Sequence, residues 1–159
     1  MIAEKAIGFD GVLNYYAGRN EVADREFEKA FCEHTQWNEL WAKPYVVNAD
    51  EELVDQIGGS DMVRGNTISA VGFYGPQGRE LRLPLANPQL NGLIETFRFN
   101  GRKVTNYEME SAPLQGLSRL MGHRAMTVCS IIANRMRHDA TPNYKTAIRD
   151  LIATVLERI

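Results

Sequence analysis

At 159 residues, with 44% hydrophobic and 24% charged residues, the chain is long enough for one ordinary domain with its own core. A formal net charge of −2 points away from nucleic acid or a membrane surface as the main partner. No apolar run nears the roughly 20 residues that span a bilayer, the first residues lack the apolar core of a signal peptide, and Cys32 and Cys129 stand alone without metal-ligand spacing. These features predict no membrane, no metal and a reducing, cytoplasmic setting.

In chain order, residues 2–8 read as a strand ending at Gly8. Glu21 to Trp37 carry Val22, Phe27, Ala30 and Phe31 at helical spacing, which predicts one amphipathic helix. Tyr45-Val46-Val47 reads as a short buried strand. Asp50 is placed to cap a helix that runs to Ile57 and stops at Gly58-Gly59. Residues 62–72 read as a strand, and the glycines and prolines of 73–88 predict a loop. A helix over 89–97, a turn at Asn100-Gly101, a strand over 103–107 and a helix over 111–122 follow, with Pro113 tolerated in the first turn. Residues 124–133 are nearly all apolar or small, which predicts a central strand covered on both faces. The last helix spans 143–157. Strands alternating with helices predict a single α/β domain, residues 1–159, with a mixed or parallel sheet.

Three groups of residues could carry chemistry. Glu108-Met109-Glu110 lies where a strand pattern gives way to a helix pattern, the place where α/β folds put their sites. A carboxylate there accepts from two vicinal hydroxyls of a ribose; equally, acids at a helix start are favoured by the dipole. Met109 could pack on a sugar face. In the loop Gly72 to Arg79, an extended backbone would turn Gln77 and Arg79 to one side, where their donors and acceptor complement a uracil-like ring, and Phe73 or Tyr74 offers a stacking face. The alternative is a plain Gly/Pro loop with a solvated arginine. Last, Asn134-Arg135 ends the apolar segment Ile132-Ala133; its cation either points into a cleft or is an ordinary exposed arginine.

Taken together, Phe73-Tyr74-x-x-Gln77-x-Arg79, Asn106-Tyr107-Glu108-Met109-Glu110-Ser111-Ala112 and Ile132-Ala133-Asn134-Arg135 resemble the C-terminal half of the uridine phosphorylase family, within the nucleoside phosphorylase superfamily. The resemblance runs from Lys5 onward. It implies a three-layer α/β sandwich with a central mixed sheet, incomplete at its N-terminal side, and phosphorolysis of uridine to uracil and ribose 1-phosphate. By that resemblance Gln77, Arg79 and Arg135 address the base, Phe73 stacks near it, Ile132 and Ala133 flank it, Glu110 holds the ribose hydroxyls, and Met109 and Glu108 line the sugar wall. Arg79, Glu110 and Arg135 are the residues it marks as catalytic. Phosphate is a co-substrate and no cofactor is implied. A homo-oligomer, such as the family's hexameric trimer of dimers, is the expected assembly. Purine-cleaving relatives carry an aspartate where Asn134-Arg135 stands.

The chain departs from the family in two ways. Gly75-Pro76 reverses the order seen in some relatives. More important, the family's N-terminal half, with its glycine-rich phosphate loop, phosphate-binding arginines and threonine, has no counterpart here; Arg19 and Arg25 lie near the first helix with no such loop before them. The expectation is therefore either an enzyme of that type, or an inactive nucleoside-binding module that needs a separate N-terminal half. Such a fragment should expose sheet edge and apolar surface and tend to self-associate.

Overall fold

In a computed structural model, which describes residues 1–134, 139–140 and 142–159, the chain builds one mixed sheet with helices on both faces. In chain order the elements are β1 (Ile2–Gly8), α1 (Arg19–Val22), α2 (Arg25–Thr35), β2 (Tyr45–Asn48), α3 (Glu51–Ile57), β3 (Arg64–Ser69), α4 (Leu90–Thr96), β4 (Arg98–Phe99), β5 (Arg102–Glu108), α5 (Ser111–Leu120), β6 (Thr127–Val128), β7 (Ala133–Asn134), β8 (Asp139–Ala140) and α6 (Tyr144–Leu156). The sheet order is β2-β1-β3-β5-β4. β1, β3 and β5 run parallel, β2 and β4 are antiparallel to their neighbours, and β7 pairs with β8 separately.

Alternation along the strands divides the core. Ile7, Val46 and Ile68 face Phe27 and Phe31 of α2 and Ile94 of α4, where Phe9, Trp37 and Phe97 complete an aromatic cluster. On the other face Ala6, Tyr45 and Val47 meet Ala112 of α5 and Leu13. The three-layer α/β expectation holds. Tyr45 lies across Gly8 so closely that a Cβ at Gly8 would overlap its ring, which fixes this strand end as glycine.

Two expectations are corrected. The helix expected from Glu21 to Trp37 is broken at Ala23 and Asp24. There the Asp24 N–H donates to Val46 O (2.8 Å), and the Asp24 carboxylate accepts from Phe27 N–H (3.0 Å) and from Lys5 Nζ (2.7 Å). A residue bound to β2 and capping α2 cannot also continue α1. The apolar stretch 124–133 does not form a central strand. Only Thr127–Val128 joins the sheet, antiparallel to Ile2 and Ala3, and Ile131 and Ile132 are exposed. β2 occupies that edge of β1 from Lys5 to Gly8, leaving a slot two residues long beside Ile2 and Ala3. Smaller differences concern ends: β3 is shorter than 62–72, and the loop 73–88 contains a 3₁₀ turn over Gly75–Gln77.

α6 buries none of its residues fully, and Ile152 and Leu156 face outward. Its end is nonetheless held to α3, because Arg158 donates to Ile57 O (2.9 Å) and pairs with Asp61 (3.0 Å).

Burial tends to raise the Asp24 carboxyl, but the Lys5 ammonium and the Phe27 N–H outweigh it and hold the group below the ordinary range. Its contribution is therefore present above about pH 4 and fades as pH falls through the lower folded value. Asp24→Ala should cost about 1 kcal/mol at neutral pH, and the gap from the parent should close toward pH 2, read by urea unfolding at each pH. Phe31→Ala should cost about 3–5 kcal/mol by the same measurement.

Candidate nucleoside site

The C-terminal ends of β1, β3 and β5 are tied side by side. Phe9 N–H donates to Ser69 O (2.9 Å) and Ala70 N–H to Glu108 O (2.9 Å), so the segments that follow leave one edge of the sheet together. In parallel sheets this is where ligands bind.

β5 opens into the acidic turn. Glu108 is partly buried and engaged: Oε1 accepts from Ser69 Oγ (2.5 Å), and Oε2 accepts from the N–H groups of Glu110 (2.7 Å) and Ser111 (2.6 Å). Ser69 Oγ also accepts from Ala112 N–H (2.7 Å). The first N–H groups of α5 are thus capped from neighbouring strands. Met109 and Glu110 stand outward, and Glu110 Oε2 accepts from Met109 N–H (3.2 Å). The two meanings open for an acid here are divided between the two glutamates: Glu108 occupies the helix start, and Glu110 presents its carboxylate to solvent.

β3 opens into the aromatic loop. The backbone there is not extended, which corrects that expectation: Gly75-Pro76 start a 3₁₀ turn and Gly78, at φ +73°, reverses the chain. A side chain at Gly78 would overlap Asn91. Gln77 is buried, and its carbonyl accepts from Asn91 Nδ2 (3.3 Å), whose Oδ1 accepts from Tyr107 Oη (2.7 Å). The Arg79 guanidinium lies 3.6 Å from the Phe73 ring centroid and donates to Phe73 O (2.7 Å). Phe73 and Arg79 therefore form one cationic, aromatic unit.

Beside this loop an open, mostly apolar cleft of about 1060 Å³ is lined by Phe9, Trp37, Trp41, Tyr74, Arg79 and the 81–86 segment. The Glu108–Glu110 turn does not line it. Ile132 and Ala133 are exposed, and Arg135 lies outside the described residues. Among the described residues no cluster of His, Cys, Asp or Glu could hold a metal ion, and no helix is long and apolar enough to cross a membrane.

Sequence reasoning missed three residues at the strand ends. Ser69 and Asp10 are polar residues at apolar strand ends, a signal that was available. Tyr45 could not be placed from its own neighbours. Its hydroxyl and Asp10 Oδ2 are both buried and close, but they do not meet in a well-aligned hydrogen bond. Burial first, then the Asp10 and Glu108 carboxylates, push the Tyr45 phenol far above its ordinary range. Burial and the same Glu108 charge also raise the Cys129 thiol.

Comparison with known proteins bears on the family and the fold. The sequence pattern of the phosphorylase superfamily matches residues 1–158, and the chain belongs to that superfamily. It is 38% identical over 81 residues to the uridine phosphorylase of Thermococcus kodakarensis, covering 47% of this chain and 26% of that protein. Its fold superposes with a TM-score of 0.84 and 25% identity on a Trypanosoma brucei nucleoside phosphorylase whose structure is described as showing uridine phosphorylase activity. That match covers 99% of this chain and 56% of the trypanosome chain. The chain thus spans little more than half of its structural relative, and the fold is of phosphorylase type.

Because the Tyr45 pKa is raised, its neutral form stabilises the fold fully below about pH 10, and this is lost at about 1.4 kcal/mol per unit above it. In a spectrophotometric titration of the six tyrosines, Tyr45 should stay silent until the protein unfolds. Tyr45→Phe should therefore leave the amplitude near pH 10 unchanged.

Proposed function

We propose that this chain is the base- and ribose-binding part of a uridine phosphorylase-type pentosyltransferase, acting in the cytoplasm in pyrimidine nucleoside salvage. The reaction is uridine plus phosphate giving uracil and ribose 1-phosphate. The observation that carries the reading is Glu110, an exposed carboxylate just past the end of β5, which pairs with β3, the strand that leads into the loop bearing Phe73, Gln77 and Arg79. Glu110 accepts from the ribose 2′- and 3′-hydroxyls, and Met109 packs on the sugar. Arg79, seated on Phe73, and the amide of Gln77 address the uracil carbonyls and ring N–H. Uracil needs no strong acid to leave, because donors aimed at its oxygens stabilise the charge that develops on the ring. Glu108 is assigned to the sugar wall's backbone, and Ile132, Ala133 and Arg135 to the far side of the base.

The attacking phosphate is held beneath the anomeric carbon, which supplies the proximity term. Arg19, one of the two arginines nearest the chain start, is paired with Glu28 (2.8 Å) and bonded to Asn14 (2.9 Å). That pairing, and the 56% coverage of the structural relative, favour a second reading: a nucleoside-binding module completed by an N-terminal phosphorylase half, or by a homo-oligomer packed on the outward apolar side chains of α6.

Calorimetry with uridine and uracil, and a phosphate-dependent assay of uracil release, test both. Uridine should bind, and Glu110→Ala should weaken it by about tenfold or more, the loss of one charge-assisted hydrogen bond. Arg79→Ala should weaken uracil and uridine alike. Turnover by the chain alone excludes the second reading, binding without turnover favours it, and no binding of either ligand sinks both.

A further inference from the structure

Ser69 and Glu108 hold a position from which neither needs to touch a ligand, yet together they decide where Glu110 stands. The Ser69 hydroxyl has one hydrogen, given to Glu108 Oε1, and its lone pair takes the Ala112 N–H; Glu108 Oε2 takes the N–H groups of Glu110 and Ser111. Three consecutive N–H groups at the start of α5 are therefore satisfied by a serine on β3 and a glutamate on β5. Both clamp residues are held in strands, and Ser69 is fully buried.

The residue at the N-cap position of α5 is Glu110 itself, and its side chain makes no capping hydrogen bond. A carboxylate at that position would ordinarily turn back onto its own helix, drawn by unpaired N–H groups and the positive end of the dipole. Here those groups are already occupied, so Glu110 is left with a weak contact to Met109 N–H at 3.2 Å and an outward orientation.

We propose that Ser69 and Glu108 are positioning residues for Glu110: by pre-empting the α5 N-terminus they keep the Glu110 carboxylate turned out for a vicinal diol. This rests on the reading of Glu110 as the ribose acceptor given above. Without the clamp, Glu110 competes to cap its own helix, and affinity for the sugar falls while affinity for the free base does not.

The test compares the parent chain with Ser69→Ala, Glu108→Gln and Glu110→Ala, titrated with uridine and with uracil, alongside amide hydrogen exchange at residues 110–112. Glu110→Ala should reduce the preference for uridine over uracil by about tenfold or more. Ser69→Ala should reduce it by about fivefold or more, with uracil affinity unchanged and with faster exchange at Ala112. Glu108→Gln keeps one oxygen acceptor and the side-chain volume, so it should fall between the parent and Glu110→Ala. It carries the test should Ser69→Ala fail to fold. If Glu110→Ala loses the preference while both clamp variants keep it, the positioning role is overturned and the diol reading stands. If the clamp variants weaken uridine and uracil equally, the clamp is merely structural and the proposal is overturned. If Glu110→Ala keeps the parent preference, or the parent has none, the diol reading falls and this proposal with it.

Discussion

A carboxylate set against the start of a helix organises one end of this molecule. The first N–H groups of α5 have no partner within the helix, and leaving them unpaired near the protein interior would cost about 1–3 kcal/mol each. Glu108 meets two of them and Ser69 a third, while each also bonds the other. Since Ser69 ends β3 and Glu108 ends β5, the cap is also a cross-link between parallel strands. Ser69 O extends the chain of contacts to Phe9, just past the end of β1. Helix capping, strand register and the exit direction of three segments are settled by the same few atoms.

A second set of bonds ties the aromatic loop to the same strand. Tyr107, the residue before Glu108, holds Asn91 at the start of α4, and Asn91 in turn holds the Gln77 carbonyl. The left-handed Gly78 lets the loop pass close over Asn91, where a Cβ would not fit. The acidic turn and the Phe73–Arg79 unit are thus both referenced to β5, one through Glu108 and the other through Tyr107. Two loops tied to one strand in this way keep a fixed relation to each other.

Much of this was legible in the sequence where the cause is local. Asp50 caps α3 as its position implies, Pro113 sits in the first turn of α5, and the change from strand to helix at Glu108–Ser111 falls where the pattern changes. The three-layer arrangement follows from alternation in β1 and β2 and from the apolar faces of α2 and α5. What escaped has non-local causes. The break at Asp24 depends on Lys5 and Val46, which are distant in sequence. The conformation of Gln77 depends on Asn91. Which glutamate caps and which is exposed depends on Ser69. The apolar run 124–133 reads as a central strand because its composition suits one, but only Thr127 and Val128 pair, at the two residues of the β1 edge that β2 leaves free.

The distribution of unmatched surface follows the same division. Strands β1, β3 and β5, the helices that cover them and the bonds that fix both loops all come from residues 2–120, and the largest buried side chains fall within that span. Beyond it, among the described residues, the chain joins the sheet only through β6, and α6 keeps Ile152 and Leu156 outward while anchored at its end by Arg158. The bonds that set the geometry around Glu110 therefore take nothing from α6, whose Ile152 and Leu156 stay exposed. In this chain the helix cap at α5 and the bonds that fix both loops are specified within residues 2–120, while apolar side chains of α6 are left exposed.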